Sequence, residues 1–583
     1  MIDQAPRGFL PRDRTLQVVG ATAFFVVLTI VFTWPVSIRG DRLLAGTPGD
    51  SLGVVWGIDF MEKALLQLHH IPLFTTSINY PEGWSLATFD MGSAMAIGAI
   101  PVSLWLGPVA GYNFVSLVSF PLSGLVVFVY VRRWTGSWLA ALFAGTAFAF
   151  SPFRITQYLV GHSGLLQTQW PALYLLSMYD LTTSRRAGWV DVAWPVLGLV
   201  LTALSSLYFL YMALLLSVAM LVAVVPWRSG IVEIRRALAR AAGVWLLALP
   251  FLALAALPNA AHIASAGTPS RSLSYLRMYS ASPTDYLLPP TFGLALGQWV
   301  GAHFDRDLWV EATLYVGVVC LFVASLGLLW KSGKPGRSRP LTPWVVVMAT
   351  AFALSLGTDL NWLSLPVQVR VPDILRSLHA GELAFVPMPG RLALAWLPYY
   401  GAMRVWMRYG MFVGLALYVL AGVALHRLLS TRGSRTAAVL GTLAILALLL
   451  DFAPRRLPYF EVHGEPIDDW LQEQSLPGAV IEFPFEEVDQ YQLYRTTIHT
   501  KPLVGCLYTT CDSPQHRERA TVLAGFPDQA SVDLLADLGV TYVVVDMTRY
   551  PDPDAIRARV SALGLEMGAC RAERCAYALS QER

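Results

Sequence analysis

The groups through which this chain could do chemistry stand in a few short segments beside apolar runs. Gly49-Asp50-Ser51 precedes Val54, Ile58, Met61, Leu65 and Leu68 at helical spacing, with Asp59, Glu62 and Lys63 on the other faces. A carboxylate placed this way can take a proton from a hydroxyl within hydrogen-bond reach. Gly-Asp-Ser is equally a natural helix N-cap, and Asp59 and Glu62 suit the wet face of an amphipathic helix. Further along, Phe153-Arg154-Ile155-Thr156-Gln157 and Gly161-His162-Ser163 offer a guanidinium and an imidazole for anionic oxygens, or else a snorkelling Arg and a hydrogen-bonded His. Glu311 opens an apolar run, as a second acid or as a helix N-terminal charge. Arg391, Arg404 and Arg408 alternate with Tyr399, Tyr400, Trp406 and Tyr409, a pattern that suits anion binding or interfacial anchoring.

The cysteines form a second set. Cys506 and Cys511, and Cys570 and Cys575, are two pairs of identical spacing, while Cys320 lies inside an apolar run. Four cysteines in one polar segment predict two disulfides, with local pairing favoured and an oxidising compartment implied. Four thiolates on zinc are the alternative, although x2 spacing is the commoner zinc signature. His69-His70 alone is weak ground for a metal, and no H-E-x-x-H, phosphate loop or dinucleotide fingerprint occurs.

These residues must be held by membrane-embedded elements. Of 583 residues 55% are hydrophobic and 14% charged, which requires lipid to cover much of the surface. A net charge of +3 excludes a nucleic-acid partner as the reason for the composition. Basic clusters lie at Arg7, Arg12 and Arg14; at Arg132 and Arg133; at Arg185 and Arg186; and at Arg228, Arg235, Arg236 and Arg240. Two more follow, at Lys331, Lys334, Arg337 and Arg339 and at Arg427, Arg432 and Arg435. Taking every cluster as cytoplasmic gives about eleven crossings, near residues 17–37, 113–131, 137–151, 169–183, 190–207, 208–226, 241–258, 312–330, 343–357, 408–426 and 436–450. The run 91–106 then reads as re-entrant or interfacial. The first span has no small-residue cleavage site and reads as a retained anchor. The N-terminus is predicted inside, and residues 38–112, 152–168, 258–311 and 358–407 form outer loops. Most of the acids, histidines and loop arginines collect outside the spans, which argues against a transport pathway through them.

Two domains are expected: a membrane domain over 1–450 and a soluble extracytoplasmic domain over 451–583. In the latter, 479–483 and 541–546 read as buried strands and 467–474, 531–538 and 555–563 as helices, a small α/β fold. It has neither a glycine-rich loop nor a nucleophile elbow, so it reads as a packing or acceptor-docking module.

Gly49-Asp50 after the first span, the Pro81-Glu82-Gly83-Trp84 turn, Gly161-His162 and Glu311-x-x-x-Tyr315-x-Gly317 resemble the GT-C class of membrane glycosyltransferases. The resemblance covers the whole architecture. It implies an enzyme of the plasma (inner) membrane that moves a sugar, with inversion, from a polyprenyl-phosphate donor to a glycan, lipid or protein acceptor outside. It casts Asp50 as the base, with Asp59 and Glu62 as secondary candidates. Arg154, His162, Glu311 and Arg408 become substrate-binding residues, Arg408 being the preferred phosphate clamp of its loop. Asp50 is followed by Ser51 where other members carry adjacent acids, so metal use is open: no cofactor is certain and a divalent ion is possible. A polyprenyl-linked glycan polymerase or ligase is a neighbouring reading. A transporter or assembly protein would predict an internal repeat, and none is evident.

Overall fold

The computed structural model describes residues 12–69, 71–88, 92–184, 187–225, 230–266, 271–304, 309–329, 340–371, 381–571 and 573–579. The side chains of 12–14, 88, 265–266, 328–329 and 508–509 are not described. Arg7, His70, Arg185, Arg186, Arg228, Lys331, Lys334, Arg337 and Arg339 lie outside these residues, as do the side chains of Arg12 and Arg14.

The chain divides into two compact units, one of residues 1–38, 92–95 and 115–458, the other of 39–91, 96–114 and 459–583. The first unit is helical. Among the described residues seven helical stretches are long and apolar enough to cross a membrane: Thr15–Phe32, Pro108–Thr135, Trp138–Val160, Leu207–Val224, Ile231–Ala264, Trp406–Ser430 and Ser434–Phe452. Helices also occupy the other predicted stretches, at Gln169–Thr183, Trp189–Ser205, Val318–Leu329 and Thr342–Ser355, each shorter than the ~20 residues that span a bilayer. The helix Ser93–Leu106 has 14 residues, too few to cross alone.

Two predicted loops are not loops. Residues 152–168 form the helices Pro152–Val160 and Ser163–Leu166, and almost every side chain there is buried. Likewise Ile231–Ala266 continues as one helix past residue 258, where an outer loop was expected to begin.

In the second unit, residues from the tail build a five-stranded sheet of Ala479–Phe483, Leu503–Val504, Val540–Asp546, Leu565–Arg571 and Arg574–Leu579. The first three are parallel, and the last two add an antiparallel hairpin. Alternation decides the faces. Ile481, Phe483, Val543 and Val545 pack on Val532, Leu535 and Val560, whereas Val480, Tyr542 and Val544 pack on Ile467 and Leu471 of the opposite layer. Helices therefore cover both faces, as a sheet of near-continuous apolar strands requires.

The first loop belongs to this unit. Its helix Asp50–Leu66 packs on Gln490–His499, and Trp56, Ile78, Trp84 and Leu86 share a core with Val488, Leu493, Leu503 and Leu507. The expectation of an amphipathic helix resting on lipid is corrected here: Ser51 to Ile58 are buried without interruption, so protein covers that half on all sides. Gly53 permits the close approach, since a Cβ there would stand 2.4 Å from Gln490 Oε1. At the Tyr80–Trp84 turn the Asn79 amide donates to the Gly83 carbonyl at 2.6 Å, and Gly83 has φ +77° with Phe74 and Thr75 against it, so only glycine fits. Glu82 in that turn receives both terminal nitrogens of Arg519.

Cys506 is bonded to Cys511 and Cys570 to Cys575, the latter pair facing each other across the hairpin. Cys320 is a buried free thiol.

Candidate functional site

Three of the residues singled out in the sequence meet in the helical unit. Glu311 sits on the single turn Trp309–Ala312, and Arg408 on the 3-10 turn Trp406–Tyr409 that leads into the long helix Gly410–Ser430. The Arg408 guanidinium donates to Glu311 Oε1 at 2.6 Å through one terminal nitrogen, and its Nε lies 3.2 and 3.3 Å from the two oxygens. Both side chains are 7% exposed. Burial alone would raise the Glu311 carboxyl. Arg408, reinforced by His162 and Arg404, overrides that and holds it below the usual range. His162 follows Gly161, which ends the helix Pro152–Val160, and its Nδ1 lies 2.7 Å from Gln157 Oε1.

The aromatic residues around Arg408 do two different jobs. Tyr208 stacks under the Arg408 guanidinium at 4.7 Å and its hydroxyl accepts from the backbone N–H of Arg404 at 3.0 Å. The Tyr279 carbonyl accepts from the N–H groups of Trp406 and Met407, and its ring lies 5.2 Å from the Arg404 guanidinium. Tyr400, Trp406 and Tyr409 are fully buried, so they pack the turn, whereas Trp396 and Tyr399 are exposed in the manner of interfacial anchors. Half-buried Arg404 has no side-chain hydrogen-bond acceptor among the described residues. It was passed over in favour of Arg408, although its place four residues earlier, beside the same aromatics, was a usable signal.

A second arginine pair lies in the same unit. Asp359 is fully buried and receives Arg277 Nε at 2.9 Å and a terminal nitrogen of Arg391. The Arg277 guanidinium also lies 3.5 Å from the Phe385 ring centre. Two guanidinium groups on one carboxylate leave a local positive charge.

Arg154 is reassigned. Its side chain is 0% exposed and donates to the Ala149 carbonyl at 2.6 Å, Ser119 Oγ at 2.8 Å and the Leu166 carbonyl at 3.2 Å, with Phe120 beneath it. It ties the end of Trp138–Ala149 to the end of Ser163–Leu166, and the terminal nitrogens that would grip a phosphate are already engaged.

The motif Glu311-x-x-x-Tyr315-x-Gly317 also separates into parts. Tyr315 donates to Asp451 Oδ1 at 2.6 Å, and Asp451 Oδ2 accepts from the N–H of Val319, which caps Val318–Leu329. Gly317 has φ +88°, and a Cβ there would meet Phe452 at 2.6 Å. Tyr315 and Gly317 start a helix, and only Glu311 faces the charged centre.

Asp50 is exposed in the other unit, at the first position of Asp50–Leu66, where its charge complements the helix N-terminus. Asp59 pairs with Lys63 at 2.7 Å, and burial raises its carboxyl despite that partner. Glu62 is half-buried on the same helix. Among the described residues no three His, Cys, Asp or Glu side chains converge as metal ligands.

Residues 18–405 match the family described as a domain of unknown function, DUF6311, and the chain belongs to that family. Two solved structures carry the fold comparison. The arabinofuranosyltransferase AftD from Mycobacteria is 16% identical, with a TM-score of 0.55 over 98% of this chain and 40% of that one. The Archaeoglobus fulgidus oligosaccharyltransferase in its apo form is 14% identical, with a TM-score of 0.50 over 97% and 74%. This chain thus spans about two-fifths of the length of the mycobacterial protein. No curated protein matches it. The fold is that of the GT-C class of membrane glycosyltransferases, and the protein is a multi-pass membrane protein.

Proposed function

We propose that this chain is an inverting glycosyltransferase that takes a sugar from a polyprenyl-phosphate donor and attaches it to an acceptor hydroxyl outside the cytoplasm. The observation that carries the reading is the cationic centre at the end of the Gly410–Ser430 helix. There one carboxylate, Glu311, is ion-paired with Arg408 and lies within electrostatic reach of Arg404 and His162.

Arg404 and the outer face of Arg408 hold the donor phosphate, Glu311 fixes Arg408 in place, and His162 lies beside the sugar. Asp50 takes the proton of the acceptor hydroxyl as its oxygen forms a bond to the anomeric carbon. The bond from that carbon to the phosphate oxygen breaks, and its electron pair leaves with the lipid phosphate, where arginine stabilises the growing charge. Glu311 suits the supporting role because its ion pair lowers its basicity. The basic clusters put the N-terminus inside and the tail outside, in an oxidising space where the two disulfides form.

The deciding experiment measures transfer from a polyprenyl-phosphate sugar in membranes matched for protein level. Asp50→Asn keeps the size of the side chain but cannot take a proton, and transfer falls by about 10² to 10⁴. Asp59→Asn and Glu62→Gln stay near wild type. Near-normal activity in Asp50→Asn with loss in either of the other two would move the base along the helix. Accumulated lipid-linked repeat units, in place of lipid-linked single sugars, in cells lacking the protein would favour a polymerase.

A further inference from the structure

Gln157 lies on the helix Pro152–Val160 with its side chain 0% exposed. Its Oε1 stands 2.7 Å from His162 Nδ1, and its backbone carbonyl accepts from the His162 N–H at 3.0 Å, so amide and imidazole are held together twice. The other end of that amide, Nε2, has no hydrogen-bond partner among the described residues. A buried donor without an acceptor is costly, and native folds seldom keep one unless a ligand or a water completes it.

Its neighbours say where this amide stands. The turn Trp309–Ala312, which carries Glu311, packs on the helix of Gln157, and His162 lies within electrostatic reach of Glu311. Two more buried groups without hydrogen-bond partners among the described residues, Ser205 Oγ and Ser206 Oγ, come just before Tyr208, whose ring stacks under Arg408. A Cβ on Gly92 would meet the Ser205 carbonyl at 3.2 Å and Gly164 Cα at 3.3 Å, so the serine turn and the segment that follows His162 close on the same glycine. One amide and two hydroxyls, all neutral, thus stand on the elements that build the cationic centre.

We infer that Gln157 recognises the transferred sugar, its Nε2 donating to one hydroxyl of an uncharged ring whose phosphate rests on Arg404 and Arg408, with Ser206 contacting a second hydroxyl. The inference rests on the transfer reaction proposed above. Chemistry selects the ligand: the arginines answer the phosphate, while an amide and hydroxyls match the donors and acceptors of sugar hydroxyls. A neutral hexose or pentose fits these groups, whereas an amino sugar would set a cation beside two arginines.

The test is transfer by the full-length protein in membranes matched for protein level, supplied with synthetic polyprenyl-phosphate hexoses and pentoses. The donor that is used is then replaced by its deoxy series, each member lacking one ring hydroxyl. With the wild type, the deoxy donor that lacks the hydroxyl read by Gln157 should lose about 10- to 100-fold in kcat/KM. Gln157→Met, of similar length without the amide, should lose a similar factor with the full donor and no longer distinguish that deoxy donor from it. A disturbance passed on through His162 would instead slow both donors equally and preserve their ratio. Ser206→Ala removes one atom and should show the same signature toward a different hydroxyl, and together with the wild-type series it decides the matter if Gln157→Met folds poorly. Equal use of every deoxy donor by the wild type, a hydroxyl preference that survives in Gln157→Met, or preference for an amino sugar would overturn the assignment and leave the transferase standing. Transfer from none of the donors would overturn the reaction itself, and this role of Gln157 with it.

Discussion

Two charged centres, one in each unit, are built from the same residue types and have opposite balances. In the helical unit Glu311 stands against Arg408 and Arg404, so cations exceed carboxylates. In the other unit Glu465, Asp468 and Glu482 surround Arg495 and Arg574, with Arg495 at 2.7 Å from Glu465 and Arg574 at 2.6 Å from Glu482. There each guanidinium bridges two carboxylates, and Gln492 donates to Glu482 at 3.1 Å. The difference teaches what a cluster of charge is for. A network whose donors are all matched by acceptors holds a fold, whereas a centre with surplus cations has capacity left for an anion.

The largest expected effect comes from removing the lone carboxylate. Glu311→Gln leaves Arg408 buried without a counter-ion, and loss of one partner of such a pair costs about 3–5 kcal/mol. Denaturant unfolding in detergent should register that loss, and Glu311→Gln combined with Arg408→Met should recover most of the stability without activity. If Glu311→Gln alone were as stable as wild type, the pair would not be the strut of the centre.

Next in size is Arg404→Ala. One charge-assisted contact to phosphate is worth about 1.5–3 kcal/mol, so kcat/KM for the donor should fall by roughly 10- to 150-fold with little change in stability. Arg404→Lys should restore part of it. Arg154→Met is the contrast: it should lower the unfolding temperature and leave the donor KM near wild type. The reverse pattern would return the phosphate to Arg154.

Those two arginines also mark where the sequence was legible. Long apolar runs and basic clusters gave the positions of the helices, because hydropathy and length suffice for that. The strands 479–483 and 541–546 were readable because short runs rich in β-branched and aromatic residues belong inside a sheet. Arg154 was misread because its partners are the carbonyls of Ala149 and Leu166, and backbone groups leave no trace in residue type. The helix Asp50–Leu66 was misread because its apolar face alone was weighed, while Ser51, Gly53 and Gly57, small residues that the fold buries, were not taken as a sign of close packing. Glu311, His162 and Arg408 were each picked out separately, and only the fold reveals that they meet.

The smallest expected effect probes the balanced network through pH, where two buried groups work against each other. Burial pushes the Asp468 carboxyl up to about 6, against the backbone N–H of Glu465 and the charges of Arg495 and Arg574. The folded state therefore holds that proton more tightly than the unfolded chain does, and Asp468 adds stability as pH falls from about 6 towards the ordinary aspartate range. Burial also pulls His499 down to about 3, helped by Lys501, Arg495, Arg574 and Lys63. Its contribution runs the other way: stability present above the ordinary histidine range is lost as pH falls towards 3. Between about pH 6 and 4 the two slopes oppose, and wild-type stability should change little on their account. Asp468→Asn, which keeps a side-chain oxygen for the Glu465 N–H, leaves the histidine slope alone, so the variant should grow more acid-sensitive by about 1–3 kcal/mol across that window. His499→Gln leaves the aspartate slope alone and should gain stability, relative to wild type, as the solution is acidified. Unfolding temperatures of the three proteins, compared at matched pH, decide the matter. Parallel curves would mean that neither group titrates within the folded network, and the balance drawn here between the two centres would then rest on the arginines alone.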